Sequence, residues 1–105
     1  MQEKDIESRL AREVHHRGGL TYKFVSPGSV GVPDRIIITP CGAVWFVELK
    51  TETGRLSRMQ QYQLERLRGI GANACVVYGL ENMLNILSAI FRQSEEVMPD
   101  AVQTT

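Results

Sequence analysis

Cysteine is scarce in this sequence: Cys41 and Cys75 stand alone, with no C-x-x-C pair and no zinc-ligand spacing around them. Two such thiols read as reduced and partly buried, in a reducing compartment. No apolar run is long enough to span a bilayer, and no signal-peptide pattern opens the chain. A soluble protein of the cytoplasm is expected, or of the host cytoplasm if the chain is virus-encoded. Net charge is missing too. Twelve Lys and Arg balance twelve Asp and Glu, so any pull on nucleic acid must come from uneven placement of charge. Basic residues do gather at Arg9, Arg12, Arg17, Lys23 and Arg35, and again at Arg55, Arg58, Arg66 and Arg68, while acids dominate the C-terminal segment. No phosphate-cradling loop of the Walker type occurs, since Gly54-Arg55 has neither the length nor the lysine, and no nucleotide cofactor is expected. No Ser-His-Asp or Cys-His arrangement offers a covalent nucleophile. At 105 residues there is room for one modest core. A single domain over residues 1–91 is expected, followed by a polar tail, 92–105, that is disordered or serves as a dimer arm.

What is present centres on Gly31 to Lys50. Two β-branched-rich runs, Ile36 to Thr39 and Val44 to Leu49, flank a Pro-Cys-Gly break, which reads as a β-hairpin with a short loop. Both runs are apolar on both faces, as in central strands. Yet an acid opens the first run, and an acid and a lysine close the second. With Cys41 at the turn centre, Thr39 opposes Ala43 and Asp34 opposes Glu48. Opposed residues have Cβ atoms roughly 5 Å apart, so the two carboxylates share one end of the hairpin. Strand alternation puts Lys50 on the same face. Leu49 turns into the core but leaves its carbonyl at that edge. Paired carboxylates repel, and one takes up a proton unless a cation lies between them. A hard divalent ion, Mg2+ or Mn2+, suits Asp34, Glu48 and the Leu49 carbonyl.

The remaining chain supplies a frame for this hairpin. Ile6, Leu10 and Val14 recur at four-residue steps and predict a first helix over residues 3–17, stopped by Gly18-Gly19. Glu3 and Glu7 both lie on or beside that stripe, and periodicity does not choose between them as a carboxylate facing the sheet edge. His15 and His16 point about 100° apart on a helix and cannot chelate one ion together; capping or phosphate contact suits them better. Leu20 to Val25 predicts a strand. Ser26 to Pro33 is a Gly-, Pro- and Ser-rich loop, either a plain connector or a source of N–H groups for phosphates. Trp45 reads as core. Ser57-x-x-Gln60 is a capping box opening a second helix, with Met59, Leu64, Leu67 and Ile70 on its inward side. Gln60 thus folds back on Ser57 or, alternatively, orients a water or phosphate near Lys50. Arg55, Ser57 and Arg58 sit where helix N–H groups favour an anion. Asn73 to Tyr78 predicts a last strand, joined through the helix by a parallel crossover. Leu80 to Phe91 predicts a last helix with Met83, Leu84, Leu87 and Ile90 on its apolar face. The order is α-β-β-β-α-β-α.

Pro33-Asp34 followed by Glu48-Leu49-Lys50 matches the PD-(D/E)xK nuclease pattern. Ser26-Pro27-Gly28, Gly31-Val32-Pro33-Asp34-Arg35, Phe46-Val47-Glu48-Leu49-Lys50, Gly54-Arg55-Leu56-Ser57 and Gln60 surround it in order. Over roughly residues 3–80 the chain resembles the VRR-NUC family, the virus-type replication-repair nuclease domain, as a stand-alone copy. That resemblance implies a restriction-endonuclease-like α/β fold, a mixed sheet of about four strands flanked by helices. It implies a metal-dependent endonuclease acting on branched DNA such as Holliday junctions, as a homodimer of phage or DNA-repair character. It favours Glu7 over Glu3 as the helix carboxylate, directly or through water, and the site-facing role for Gln60. Lys50 would stabilise developing charge or help position and deprotonate the water. Lys23, Ser26, Arg35, Arg55, Ser57 and Arg58 are the expected DNA contacts. A nicking or flap endonuclease, or a non-cleaving DNA-binding module on the same fold, are the alternatives.

Overall fold

In the computed structural model, the backbone of residues 1–103 and the side chains of residues 1–93 are described. Seven elements follow in the expected order: α1 (Glu3–His16), β1 (Leu20–Lys23), β2 (Arg35–Ile38), β3 (Val44–Lys50), α2 (Arg58–Gly69), β4 (Asn73–Tyr78) and α3 (Gly79–Gln103). The strands form one mixed sheet in the order β1-β2-β3-β4, antiparallel except for the parallel β3–β4 pair that α2 connects. The β2–β3 hairpin is therefore the middle of the sheet.

Its register follows from the turn. Arg35 pairs with Val47, Ile36 with Phe46, Ile37 with Trp45 and Ile38 with Val44. The Thr39 N–H donates to the Ala43 carbonyl at 2.9 Å and the Gly42 N–H to the Thr39 carbonyl at 2.8 Å. Gly42 sits at φ +88°, a left-handed conformation that glycine adopts without a Cβ penalty. The Thr39 hydroxyl accepts the Ala43 N–H, which satisfies this buried side chain at the hairpin tip. Extended by one step, this register sets Asp34 opposite Glu48.

Alternation divides the sheet into two faces. Ile37, Val47, Leu49 and Val77 meet Ile6, Leu10 and Val14 of α1 and Met83, Leu87, Ile90 and Phe91 of α3 in the main core. Each fully buried aliphatic chain there contributes on the order of 2 kcal/mol. Trp45 packs against the same cluster, as its place in an apolar run suggests. Among the described side chains, the apolar side of α3 from Met83 to Phe91 is thus spent inside the molecule. The opposite face carries Phe24, Ile36, Phe46 and Glu48, with Phe24 and Phe46 rings 5.6 Å apart. Over this face α2 is a thin cover: Leu64 is buried, but Met59 and Ile70, expected on its inward side, are 41% and 84% exposed. Ile70 is the C-cap residue, past the last helical turn and out of phase with Leu64.

The last helix extends to Gln103, beyond the Phe91 at which the sequence pattern closes it. Side chains from residue 94 onward and all of residues 104–105 lie outside the described residues, and most of the expected disordered tail falls there. Among the described residues no helix is long and apolar enough to cross a membrane.

Candidate active site

The two hairpin acids come together where the register puts them. Glu48 is 1% exposed, the most deeply buried charged side chain among the described residues. Burial is the largest influence on its carboxyl, followed by a hydrogen bond and charge repulsion from Asp34; Lys50 opposes them, and Glu3 adds a weaker like charge. Together they push the Glu48 carboxyl up from 4.5 to about 8. Glu48 therefore keeps a proton near neutral pH when no cation neutralises it.

Each carboxylate is also held from one side by the protein. Asp34 Oδ2 accepts the Leu49 N–H at 2.8 Å. Glu48 Oε2 accepts from Gln60 Nε2 at 3.1 Å and lies 3.9 Å from Lys50 Nζ. Lys50 is itself largely buried, 14% exposed at the side chain, so this pairing is screened little by solvent. Strand alternation places Asp34, Glu48 and Lys50 on the α2 side of the sheet.

Gln60 makes the capping box and, with the same side chain, reaches Glu48. Its Oε1 accepts the Ser57 N–H at 2.8 Å and its backbone N–H donates to Ser57 Oγ at 3.1 Å, completing the capping box. The other end of the same amide donates to Glu48. A backbone N–H can only donate, so the atom it meets is the amide oxygen and the atom facing Glu48 is the nitrogen.

Glu7 does not join this group. Its Oε2 accepts from Arg35 Nη1 at 3.1 Å and lies 4.0 Å from Lys23 Nζ. Arg35 follows Asp34 and so points to the opposite, α1-bearing face, where it also donates to Thr21 Oγ1 at 3.3 Å. The trio Glu7, Asp34 and Glu48 is accordingly not assembled: among the described residues no three His, Cys, Asp or Glu side chains converge as metal ligands. Of the two α1 acids, Glu3 is the one whose charge Glu48 feels. The helix stripe could not reveal this, because Ile-Glu-x-x-Leu periodicity does not say which sheet face a basic strand residue will occupy.

Among the expected DNA contacts, Arg55, Ser57 and Arg58 are exposed around the start of α2. Ser26 is half-buried, and Lys23 and Arg35 lie toward Glu7 instead. Gly31, in the sequence no more than the first residue of Gly-Val-Pro-Asp, is where the loop meets α2. It holds φ +86°, and a Cβ there would fall 2.6–2.9 Å from Met59 C, Met59 O and Gln60 N. Gln63 Nε2 donates to the Val30 carbonyl at 3.2 Å, tying the same loop to the next turn. His15 and His16 are exposed at the end of α1.

Comparison with known proteins agrees with this arrangement. A search against protein-family models finds no match. The chain is 38% identical over 90 residues to "Putative nuclease p44" of Acyrthosiphon pisum secondary endosymbiont phage 1, covering 86% of this chain and 96% of that protein. A solved structure described as "VRR_NUC domain" superposes with a TM-score of 0.77 at 31% identity, over 82% of this chain and 94% of its own. A second, "VRR_NUC domain protein", gives a TM-score of 0.66 at 15% identity, over 84% and 86%, and bears on the fold alone. The mixed α/β sheet is of the restriction-endonuclease-like kind, the PD-(D/E)xK residues lie at one end of its central hairpin, and the chain belongs to the VRR-NUC family of nuclease domains.

Proposed function

We propose that this nuclease is a Mg2+- or Mn2+-dependent endodeoxyribonuclease that hydrolyses phosphodiester bonds in branched DNA, with the four-way junction as its leading substrate. The observation that carries the reading is the buried Asp34–Glu48 pair on adjacent strands with Lys50 and Gln60 against it. The donor set fits a hard divalent ion. Each carboxylate has one oxygen engaged by a protein donor and the two acids face each other, and such ions take one or two carboxylates while keeping several waters. Asp34, Glu48 and the Leu49 carbonyl would hold the ion, and Glu3, whose charge acts on Glu48, would be the helix carboxylate to reach it through water. When bound, the ion supplies Lewis-acid activation of the phosphate and of the attacking water.

The protein's own groups divide the rest of the work. Asp34 and Glu48 bring negative charge that favours the cation and disfavours an empty site. Lys50, largely buried beside Glu48, offsets charge developing on the phosphate or takes part in positioning the water. Gln60 holds Glu48 in one orientation. Arg55, Arg58 and the N–H groups at the start of α2 meet backbone phosphates and set the register of the DNA without reading bases.

Two copies acting together would suit paired cuts across a junction. Among the described residues, one surface open to pairing is the part of the sheet over β1, β2 and the start of β3 that α2 leaves uncovered. Leu20 and Tyr22 are over half exposed there and Val44 is 41% exposed. The phage relative is consistent with action in a host cytoplasm.

The deciding experiment incubates wild type, Asp34→Ala and Lys50→Ala with end-labelled four-way junction, flap and linear duplex DNA, in Mg2+, Mn2+ or chelator. Metal-dependent cleavage lost in both variants, with symmetric cuts on the junction, is expected. Cuts confined to flaps or nicks would shift the substrate to the simpler endonuclease reading. Binding without cleavage under every condition would make the chain a DNA-binding module, and cleavage persisting in both variants would place the site elsewhere.

A further inference from the structure

We propose that Ser57 and Gly31 are positioning residues for the hydrolysis: together they determine which end of the Gln60 amide faces Glu48 and how closely it approaches. The consequence for metal binding rests on the metal-site reading above, but the geometry stands without it.

A glutamine amide presents a donor or an acceptor depending on a rotation that costs little in open solvent. Facing Glu48, its two ends are opposites. The nitrogen donates to the carboxylate, whereas the oxygen would set two acceptors against each other beside a buried acid. Ser57 removes the choice. Its N–H claims Gln60 Oε1 at 2.8 Å, and its Oγ holds the Gln60 backbone N–H at 3.1 Å, so both the amide and the backbone carrying it are fixed. Only Nε2 is left to reach Glu48 Oε2, at 3.1 Å.

Approach is set from the other side. The loop leading to Asp34 lies directly on the first turn of α2, and the space at Gly31 is closed by backbone: Met59 C and O and Gln60 N. Backbone cannot rotate away as a flexible side chain can. Any Cβ at position 31 moves the turn that carries Gln60, and the positive φ adds strain of its own. The Gln63–Val30 bond keeps loop and helix together one turn further on. Asp34, reached through the loop, and Gln60, reached through the helix, are thereby set by one contact. Gln60 and Lys50 both approach Glu48 through Oε2, so one side of this carboxylate is fixed beside Asp34.

Such support of a ligand by an outer residue is commonly worth 10–100-fold in metal affinity or activity. Four variants test it: Ser57→Ala, Ser57→Thr, Gly31→Ala and Asp34→Ala. Each is assayed at a temperature where circular dichroism shows it fully folded. The first readout needs no metal. The Gln60 side-chain NH2 protons in the 15N–1H spectrum are expected to exchange slowly with solvent in wild type and Ser57→Thr, and faster in Ser57→Ala, where the Ser57 N–H remains but the hydroxyl no longer holds the turn that carries the amide. The second is Mn2+ affinity by calorimetry, expected to fall about 10-fold in Ser57→Ala and Gly31→Ala and to recover in Ser57→Thr, which keeps the hydroxyl acceptor. Lower thermal stability in Ser57→Ala with unchanged Gln60 signals and unchanged Mn2+ affinity would reduce the capping box to a helix cap and overturn the proposal. Should Asp34→Ala also bind Mn2+ normally, the metal-site reading itself fails, and the NMR readout still decides the geometry. If Gly31→Ala does not fold, the contrast between Ser57→Ala and Ser57→Thr decides alone.

Discussion

Replacing Glu48 by Gln should make the metal-free protein more stable at alkaline pH while removing its nuclease activity. In the fold, burial first and Asp34 second raise the Glu48 carboxyl from 4.5 to about 8. The fold therefore binds a proton that the unfolded chain has already released, and stability falls as pH rises from about 4.5 to about 8, then levels. The full cost of ionising this carboxyl in place is at most about 5 kcal/mol at the alkaline end. Adjustment of Lys50 and entry of water return part of that, leaving about 2–3 kcal/mol. Gln carries no charge at any pH, its carbonyl still accepts from Gln60, and its NH2 can donate to Asp34 in place of the Glu48 proton. The variant should match wild type near pH 4 and exceed it by about 2–3 kcal/mol at pH 8.5, roughly 10–15 °C in Tm for a domain of this size. Thermal denaturation in chelator from pH 4 to 9 measures the gap. Mn2+ at a thousand times Kd should reverse the order, since it stabilises wild type by about 4.1 kcal/mol. A variant no more stable than wild type at pH 8.5 in chelator, or a gap that does not change with pH, would refute the account of this carboxyl.

The same protonation predicts that Mn2+ binding at pH 7 releases most of a proton, read by calorimetry in two buffers of different ionisation heat, and far less at pH 9.5. Glu3→Gln should weaken Mn2+ affinity severalfold, whereas Glu7→Gln should leave it unchanged and instead cost about 1–2 kcal/mol in urea unfolding, because Arg35 loses its partly buried partner. Gly31→Ala should cost about 2 kcal/mol or more in the same assay, from its φ of +86° and the backbone against it. Leu10→Ala, in a fully buried position, should cost about 2–5 kcal/mol without altering metal affinity per folded molecule.

Why the hairpin could be read from the sequence and the helix acids could not is a matter of how many constraints each carries. Two strands joined by a short turn have one register that keeps Ile37 and Val47 inward, so the pairing of Asp34 with Glu48 follows from counting. The position of Glu7 depends on a different relation. It requires knowing that α1 packs on the face to which Arg35 points, and α1's own stripe of Ile6, Leu10 and Val14 is equally satisfied on either face of the sheet. The arginine decides it, because a carboxylate beside a buried guanidinium gains a charge-assisted bond that a site facing two other carboxylates cannot offer without a cation. Gln60 shows the third case. Its capping and site-facing roles look exclusive when a side chain is treated as one point, and they are compatible because an amide has two ends of opposite chemistry. A capping box written with Glu at the same place would cap equally well, but it would set a third carboxylate against Asp34 and Glu48. The amide is thus the form of this cap that can stand next to the acids, and the choice of Gln60 over Glu is the one mark in the sequence that α2 begins at the site.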